Sequence, residues 1–219
     1  QNIYFDYSAI RPEGARLMTM GGRASGPQPL IKLHDFIRET MHNAQGRQLT
    51  TLECHDICNQ IAEIVVVGGV RRSSQISLSD LQDTDMRHAK EWPFPIKRAM
   101  ANNSAIYREK PSAADFLKEW GSLALSGSGE RGIFNLEAAQ SRAPSRRYSP
   151  KIEGTNPCGE IMLRDMQFCN LSEVVVREDD DLDTLLDKVE CATWLGVIQS
   201  SFTDFPYLRK EWKKNCDVE

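Results

Sequence analysis

The sequence lacks any long apolar segment. No run of about eighteen apolar residues, the length that a membrane-spanning helix requires, occurs in its 219 residues. The first residues also lack the basic and then apolar pattern of a secretory signal. From these two absences we expect a cytoplasmic protein without a membrane-spanning helix.

The chain also lacks a large excess of positive or negative charge. The 27 Lys and Arg residues nearly balance the 31 Asp and Glu residues, and the formal net charge is −4. This balance provides no broad electrostatic attraction to nucleic acid or to an acidic membrane surface, so we expect neither as a partner. Hydrophobic residues make up 40% of the chain, an ordinary value for a globular domain.

The six cysteines lack the spacings of a redox or metal motif. No C-x-x-C sequence occurs, which argues against a plain thiol oxidoreductase. Cys54 and Cys58 are one helical turn apart but have no second half-site, so we predict helix-face packing for them and assign no metal. Cys191 falls inside a helical pattern, and we interpret it as a small core residue. Without a secretion signal, we expect reduced thiols and no disulfide scaffold.

What the chain does contain is a compact set of reactive side chains. Asn156, Cys158 and Glu160 alternate, so in an extended segment they would point to the same side. Pro157 biases the preceding residue towards an extended conformation, and a second thiol, Cys169, follows on the next predicted strand. An amide, a carboxyl group and two thiols could support one-electron sulfur chemistry with an adjacent proton acceptor. A tight loop beside a buried cysteine is the simpler alternative.

This segment resembles the ribonucleotide reductases. Residues 152–161 are similar to the finger loop of that family, and residues 169–175 to the strand that follows it. Within that family, the sequence of these segments is most similar to that of the adenosylcobalamin-dependent ribonucleoside-triphosphate reductases. The resemblance also covers residues 5–27, 65–79, 101–107, 126–135 and 204–215.

The resemblance implies a reaction and a role for each reactive side chain. The reaction is reduction of a ribonucleoside tri- or diphosphate to a 2′-deoxyribonucleotide, initiated by adenosylcobalamin. Cys158 would carry a thiyl radical, Glu160 would be the general base, and Asn156 would orient the substrate. Cys169 would be one of two reducing thiols, with its partner upstream of Gln1. A thioredoxin-type reductant would then reset the resulting disulfide.

Two glycine-rich loops are candidates for nucleotide contacts. Backbone N–H groups and basic side chains in such loops can hold phosphate, although mobile surface connections have the same composition. The resemblance implies that they are the two specificity loops, which bind a deoxynucleotide effector and link it to the substrate. Their candidate residues are Gly21, Gly22, Arg23 and Ser25 in the first loop and Gly68, Gly69, Arg71, Arg72 and Ser73 in the second.

Strand and helix patterns alternate, which predicts an α/β fold with mainly parallel strands. The resemblance implies a ten-stranded α/β barrel of the ribonucleotide reductase and glycyl-radical type, with the finger loop at its centre. Because about five strands are recognisable and both ends look cut, we expect part of such a barrel, inactive alone. Residues 1–151 would be the later part of the first half-barrel, 152–168 the finger loop, and 169–219 the start of the second half.

Several local predictions concern packing. We predict a short strand at residues 3–7 and a buried strand from Leu171 to Val176. One helix is predicted after Thr50 and another from Leu182 to about Phe202, each with an apolar face turned inward. The predicted inward residues are Ile57, Ile61, Ile64 and Val65 in the earlier helix, and Leu185, Leu186, Val189, Ala192, Leu195 and Ile198 in the later one.

Two further functions remain open at this point. A ribonucleotide reductase of another class would use a separate radical-generating subunit in place of cobalamin. A non-catalytic nucleotide-binding module would use the two glycine-rich loops and would not need Cys158.

Overall fold

The computed structural model describes residues 3–18, 21–67, 74–145 and 152–217. The chain divides into two compact units, Gln1–Asn135 and Leu136–Glu219. Within the described residues, every helix is too short or too polar to cross a bilayer.

The first unit begins with two helices, after which strands and helices alternate. Its helices are α1 (Gln28–Asn43), α2 (Thr51–Val67), α3 (Thr84–Arg87) and α4 (Ala113–Leu125), with a 3-10 turn at Ile96–Met100. Its strands are β1 (Gln75–Asp80), β2 (Ala101–Tyr107) and β3 (Gly132–Asn135). Helix α4 begins directly after Ser112, because the Ser112 side chain accepts a hydrogen bond from the Asp115 N–H.

The three strands of this unit form one parallel sheet in the order β1-β2-β3. Gln75 pairs with Ala101 at one end, and Tyr107 pairs with Asn135 at the other. Parallel neighbours need long crossover connections, which the intervening helical segments provide. The expected α/β fold with parallel strands is therefore confirmed.

A buried charged cluster fastens the end of β1 to the surrounding helices. The Glu119 carboxylate, which is 1% exposed, accepts hydrogen bonds from Arg87 Nε at 2.8 Å and Arg131 Nε at 2.6 Å. Arg131 also donates to the Ser79 hydroxyl at 2.7 Å, close to the end of β1. A buried charge is tolerated when its partners satisfy it this fully.

Among its described side chains, α2 buries His55, Asn59 and Ala62 and none of the residues of the predicted apolar stripe, so that prediction is wrong. Ile61 and Val65 are 45% and 46% exposed, whereas His55 and Asn59 are buried. His55 Nε2 lies 2.9 Å from Asn103 Oδ1 of β2, and Asn59 Nδ2 lies 3.0 Å from His55 Nδ1. This helix therefore packs on the sheet through paired polar groups, which hydrophobic periodicity does not detect.

The segment at residues 3–7 is not a strand, contrary to prediction. Its aromatic side chains contact α1 instead, with the Phe5 and His34 ring centroids 4.0 Å apart. The Tyr7 hydroxyl lies 2.8 Å from His34 Nδ1. Side-chain packing, with no strand ladder, therefore fixes this segment.

The second unit contains a β-hairpin and three helices. These elements are α5 (Leu136–Arg142), β4 (Ile152–Thr155), β5 (Met162–Arg164), α6 (Leu182–Ser200) and α7 (Lys210–Cys216). Strands β4 and β5 are antiparallel, and Thr155 pairs with Met162 next to the turn. Among the described residues the chain forms only this hairpin and the three-stranded sheet, and no closed barrel is present.

Two packing predictions fail in this unit. Residues Leu171–Val176 form no strand, and Leu171, Val175 and Val176 are exposed. Helix α6 begins at the predicted residue, but none of its side chains is buried, and Cys191 is exposed and so not a core residue. A 3.6-residue period marks an apolar face, but burial also needs a partner surface, which the described residues of this unit do not supply to α6.

Candidate functional site

The tip of the β4–β5 hairpin holds three of the four predicted catalytic residues. The Asn156 N–H donates to the Ile161 carbonyl at 3.1 Å, and the Gly159 N–H donates to the Asn156 carbonyl at 3.0 Å. The tip is therefore a closed turn and not an extended segment, so the alternation of the three residues does not by itself place their side chains on one side. The three side chains are nevertheless gathered within five residues.

Asn156 organises this turn with its side chain. It is 5% exposed, and its Oδ1 accepts a hydrogen bond from the Ile161 N–H at 3.0 Å. Its Nδ2 donates to Glu160 Oε1 at 2.6 Å. One amide thus closes the turn and also orients the exposed Glu160 carboxylate.

Gly159 allows the chain to turn at this position. Its φ is +89°, a left-handed conformation that side chains with a Cβ rarely adopt. A Cβ at Gly159 would meet no atom within 4 Å, so backbone conformation and not crowding favours glycine. The space beside the Cys158 thiol is open, and Cys158 is exposed.

Cys169 lies beside this turn, half-buried. Burial raises the pKa of its thiol above the ordinary value, and the nearby Glu160 charge raises it further. A hydrogen bond with the Asn156 side chain acts in the opposite direction. The structure thus brings together the four residues predicted to be catalytic, with Cys158 exposed and Cys169 in a more protected setting.

The first glycine-rich loop is described, and the second is not. Gly21 and Gly22 have positive φ, and the exposed Arg23 donates from Nη1 to the Gly14 carbonyl at 2.8 Å. Ser25 lines a cavity of about 420 Å³ that also includes Glu13 and Lys32. The candidates of the second loop, which are Gly68, Gly69, Arg71, Arg72 and Ser73, lie outside the described residues.

Cys54 and Cys58 lie on α2 as predicted, but both are exposed, so the prediction that they pack is wrong. The buried positions of that helix at His55 and Asn59 are the ones that contact the sheet side. The two thiols therefore face away from this contact.

Sequence reasoning missed the residues that hold the neighbourhood of Cys169. Thr155 supports the turn by donating from its hydroxyl to the Ile161 carbonyl at 2.9 Å, and its place in the motif could have indicated this. Phe168 packs against Phe205 and Trp212, with ring centroids 4.9 and 4.6 Å apart. No local signal reveals these last contacts, because the partners are far apart in sequence.

The family model for the ribonucleotide reductase barrel domain matches residues 70–210. The chain therefore belongs to the ribonucleotide reductase barrel-domain family. No solved structure matches the chain.

Several curated relatives are named adenosylcobalamin-dependent ribonucleoside-triphosphate reductase. The protein from Lacticaseibacillus paracasei is 38% identical over 179 residues, which are 78% of this chain and 23% of the relative. The protein from Lactobacillus acidophilus is 37% identical over 182 residues, 78% of this chain and 24% of the relative. The protein from Lactobacillus leichmannii is 35% identical over 186 residues, 80% of this chain and 24% of the relative. The chain thus spans about a quarter of the length of these relatives.

Proposed function

We propose that this chain carries the radical-bearing loop and one reducing thiol of an adenosylcobalamin-dependent ribonucleoside-triphosphate reductase. Its reaction is the reduction of a ribonucleotide to a 2′-deoxyribonucleotide. The main support is the arrangement at the hairpin tip, where Asn156 holds the Glu160 carboxylate beside an exposed Cys158 and a half-buried Cys169. The names of the relatives agree with this reaction and do not favour a separate radical-generating subunit.

The residues at the tip suit an external radical source. Adenosylcobalamin, when bound, supplies a radical through cleavage of its cobalt–carbon bond. Cys158 is exposed, and the space at Gly159 is open, so the thiol is accessible to a group bound outside the hairpin. Within this chain, Cys158 is the residue that would face the cofactor.

Each side chain of the turn has a separate role in the reaction of the substrate. Cys158, after losing the hydrogen atom of its thiol, abstracts the hydrogen at the 3′ carbon of the ribose. Glu160 accepts the proton of the 3′ hydroxyl, and its hydrogen bond with Asn156 at 2.6 Å fixes the direction of the carboxylate. Asn156 helps to orient the sugar through the Glu160 carboxylate that it holds in place.

Cys169 supplies reducing equivalents in this scheme. Because burial raises the pKa of its thiol, Cys169 stays protonated and can give hydrogen to the substrate. Together with a second thiol outside this chain it provides two electrons and two protons, the 2′ oxygen leaves as water, and the two sulfurs end as a disulfide. A thioredoxin-type reductant restores both thiols by exchange.

Regulation and location complete the proposal. A deoxynucleotide effector would bind through the loops at residues 21–25 and 68–73, with the ribonucleoside triphosphate as substrate. The exposed Arg23 and the positive-φ glycines beside it fit the phosphate-binding role of the first loop. We place the enzyme in the cytoplasm, where its thiols stay reduced.

The test compares two cysteine variants in the full-length enzyme. Cys158→Ser should abolish both product formation and cobalt–carbon cleavage. The cleavage is measured by the change in visible absorbance. Cys169→Ser should block dithiol-driven product formation and leave cleavage detectable. Cys191→Ser, which changes an exposed thiol on α6, is the control and should retain both. Equal loss of cleavage in the first two variants would refute the division of roles, and product formation by Cys158→Ser would refute the function.

A further inference from the structure

Regular secondary structure does not hold Cys169 in place. Between the end of β5 at Arg164 and the start of α6 at Leu182, the described chain forms neither helix nor strand. A strand would have fixed the thiol through backbone pairing, and that support is missing. The position of the thiol relative to the hairpin tip must therefore come from side-chain contacts.

Helix α7 holds the segment that leads to Cys169. The Asn215 carbonyl accepts hydrogen bonds from Arg164 Nη2 at 2.9 Å and from Gln167 Nε2 at 3.1 Å. The Asn215 side chain donates from Nδ2 to the Asp165 carbonyl at 2.7 Å. A single residue, about fifty positions away in sequence, thus makes three hydrogen bonds to the four residues 164–167.

Gln167 adds a local closure to the same segment. Its Oε1 accepts a hydrogen bond from the Arg164 N–H at 2.7 Å, and Met166 between them has a left-handed φ of 52°. A tight turn is thereby formed directly before Phe168. Asn215 binds this turn from outside, so the turn and the end of α7 form one unit.

The residues on each side of Cys169 are fixed as well. Phe168 packs between Phe205 and Trp212, and Trp212 is itself part of α7. Asn170 donates from Nδ2 to the Gly196 carbonyl of α6 at 3.0 Å. Cys169 is therefore held between an aromatic contact on one side and a hydrogen bond on the other.

We propose that Asn215 is a positioning residue that, together with Trp212, sets the location of the Cys169 thiol relative to Asn156 and Glu160. The inference rests on the proposed function, in which Cys169 is a reducing thiol. Asn215 acts through the turn at residues 164–167 and touches neither substrate nor cofactor. Placement is what a thiol needs to deliver hydrogen, and a displacement of about 1 Å in an active site can cost about 10²-fold in rate.

The central variant is Asn215→Ala in the full-length enzyme. It removes the donor to the Asp165 carbonyl and loosens the end of α7. Asn215→Asp is the shape-conserving variant, which replaces the donor with an acceptor. Both variants keep the backbone carbonyl that accepts from Arg164 and Gln167, so they test the side-chain hydrogen bond to Asp165. Lys213→Ala is the matched control, because Lys213 lies in the same helix and contacts Thr203 and Asp217 instead of the turn.

Two measurements separate positioning from a merely structural role. The first is the rate of Cys169 alkylation by iodoacetamide as a function of pH, followed on the Cys169 peptide by mass spectrometry. The second is dithiol-driven turnover, normalised to the amount of folded protein. Cobalt–carbon cleavage is measured in the same samples for comparison. In Asn215→Ala we expect the alkylation midpoint to move to lower pH, because a loosened thiol loses burial, and turnover to fall about 10- to 100-fold. Cleavage, which depends on Cys158, should persist.

The variants have distinct outcomes. Asn215→Asp, which places an acceptor opposite the Asp165 carbonyl, should shift both measurements in the same direction by at least as large a factor, and Lys213→Ala should match the wild type. A folded Asn215→Ala or Asn215→Asp with the wild-type midpoint and turnover overturns the inference, as does loss of thermal stability alone. If Asn215→Ala does not fold, Asn215→Asp decides by the same criteria.

Failure of the inference is distinguishable from failure of the proposed function. If Cys169→Ser stops dithiol-driven turnover while both Asn215 variants behave as the wild type, the function stands and the positioning role is wrong. If Cys169→Ser retains that turnover, Cys169 is not a reducing thiol, and the function assigned to it is wrong whatever the Asn215 variants do.

Discussion

Two glutamates, one in each unit, have opposite settings. Glu119 in the first unit is 1% exposed and accepts hydrogen bonds from two guanidinium groups. Glu160 in the second unit is exposed and has one amide partner, Asn156, at 2.6 Å. The first carboxylate is saturated by the protein, and the second keeps an oxygen available to a ligand.

The difference separates a structural charge from one that we propose to be reactive. Burial alone would raise the pKa of Glu119, but hydrogen bonds from Arg131 and Arg87 outweigh it and hold the pKa below its ordinary value. A carboxylate held this way stays ionised and has no room for a further proton donor. Glu160 lies next to two thiols at an open turn, where accepting a proton from a bound molecule is possible.

The largest effect on activity should come from Glu160→Gln. The amide keeps the shape and the contact with Asn156 but removes the base, so turnover should fall by about 10²- to 10⁴-fold. Because Glu160 is exposed, the thermal unfolding midpoint and nucleotide affinity should be unchanged. Steady-state kinetics and calorimetry on the full-length enzyme measure these quantities. A near wild-type rate across neutral pH would remove Glu160 from the mechanism.

Glu119→Gln should have the reverse profile. It leaves Arg87 and Arg131 buried without a negative partner, and breaking a buried ion pair in this way costs about 3–5 kcal/mol of unfolding free energy. Urea unfolding measures the loss, and turnover per folded molecule should remain. If turnover fell while stability did not, the distinction between the two carboxylates would be wrong.

The candidate site was more predictable from sequence than the packing around it. Asn156, Cys158 and Glu160 lie within five residues, so the tight turn that the structure has at this place brings them together. The start of α4 also depends on residues close in sequence, because the Ser112 side chain accepts a hydrogen bond from the Asp115 N–H. Contacts between residues close in sequence can therefore be predicted from the sequence itself.

Long-range partners could not be predicted in this way. Asn215 contacts Arg164 across 51 positions, and Arg131 contacts Ser79 across 52. The apolar side of α6 is exposed although its sequence has helical periodicity. Periodicity identifies an apolar face of a helix but does not identify the surface that covers it. The full arrangement of strands in the barrel and the division at residues 151 and 168 therefore remain predictions.

A third prediction extends the comparison to the second glycine-rich loop. Arg71→Ala or Arg72→Ala should reduce the effect of a deoxynucleotide effector on substrate preference by about 5- to 150-fold at most, the range of typical coupling energies. Turnover without effector should change far less than in Glu160→Gln, because neither arginine belongs to the Cys158 turn. A four-substrate competition assay with and without each effector measures this coupling. An unchanged effector response in both variants would contradict the role of the loop.

The smallest effect is expected at Glu53, a carboxylate that is hydrogen-bonded like Glu160 but belongs to the first turn of α2 and not to the Cys158 turn. It accepts from the Thr50 N–H at 2.8 Å at the start of α2 and pairs with Arg47 at 2.7 Å. The hydrogen bond from Arg47, with that from Thr50, lowers the pKa of Glu53 to about 2. Because the pKa is lower in the folded protein, this stabilisation is present above the unfolded value of about 4.3 and is lost as the pH falls towards 2.

Glu53→Gln should therefore lower the thermal unfolding midpoint slightly at pH 7, and its difference from the wild type should shrink between pH 4 and pH 2 (about one glutamate titration range). Hydrogen exchange at the first turn of α2 provides a local measurement of the same effect. Turnover should not change, because Glu53 stabilises the start of α2 and does not accept a proton from the substrate. A turnover loss close to that of Glu160→Gln would show that a position in the Cys158 turn does not distinguish one hydrogen-bonded carboxylate from another, and the comparison would fail.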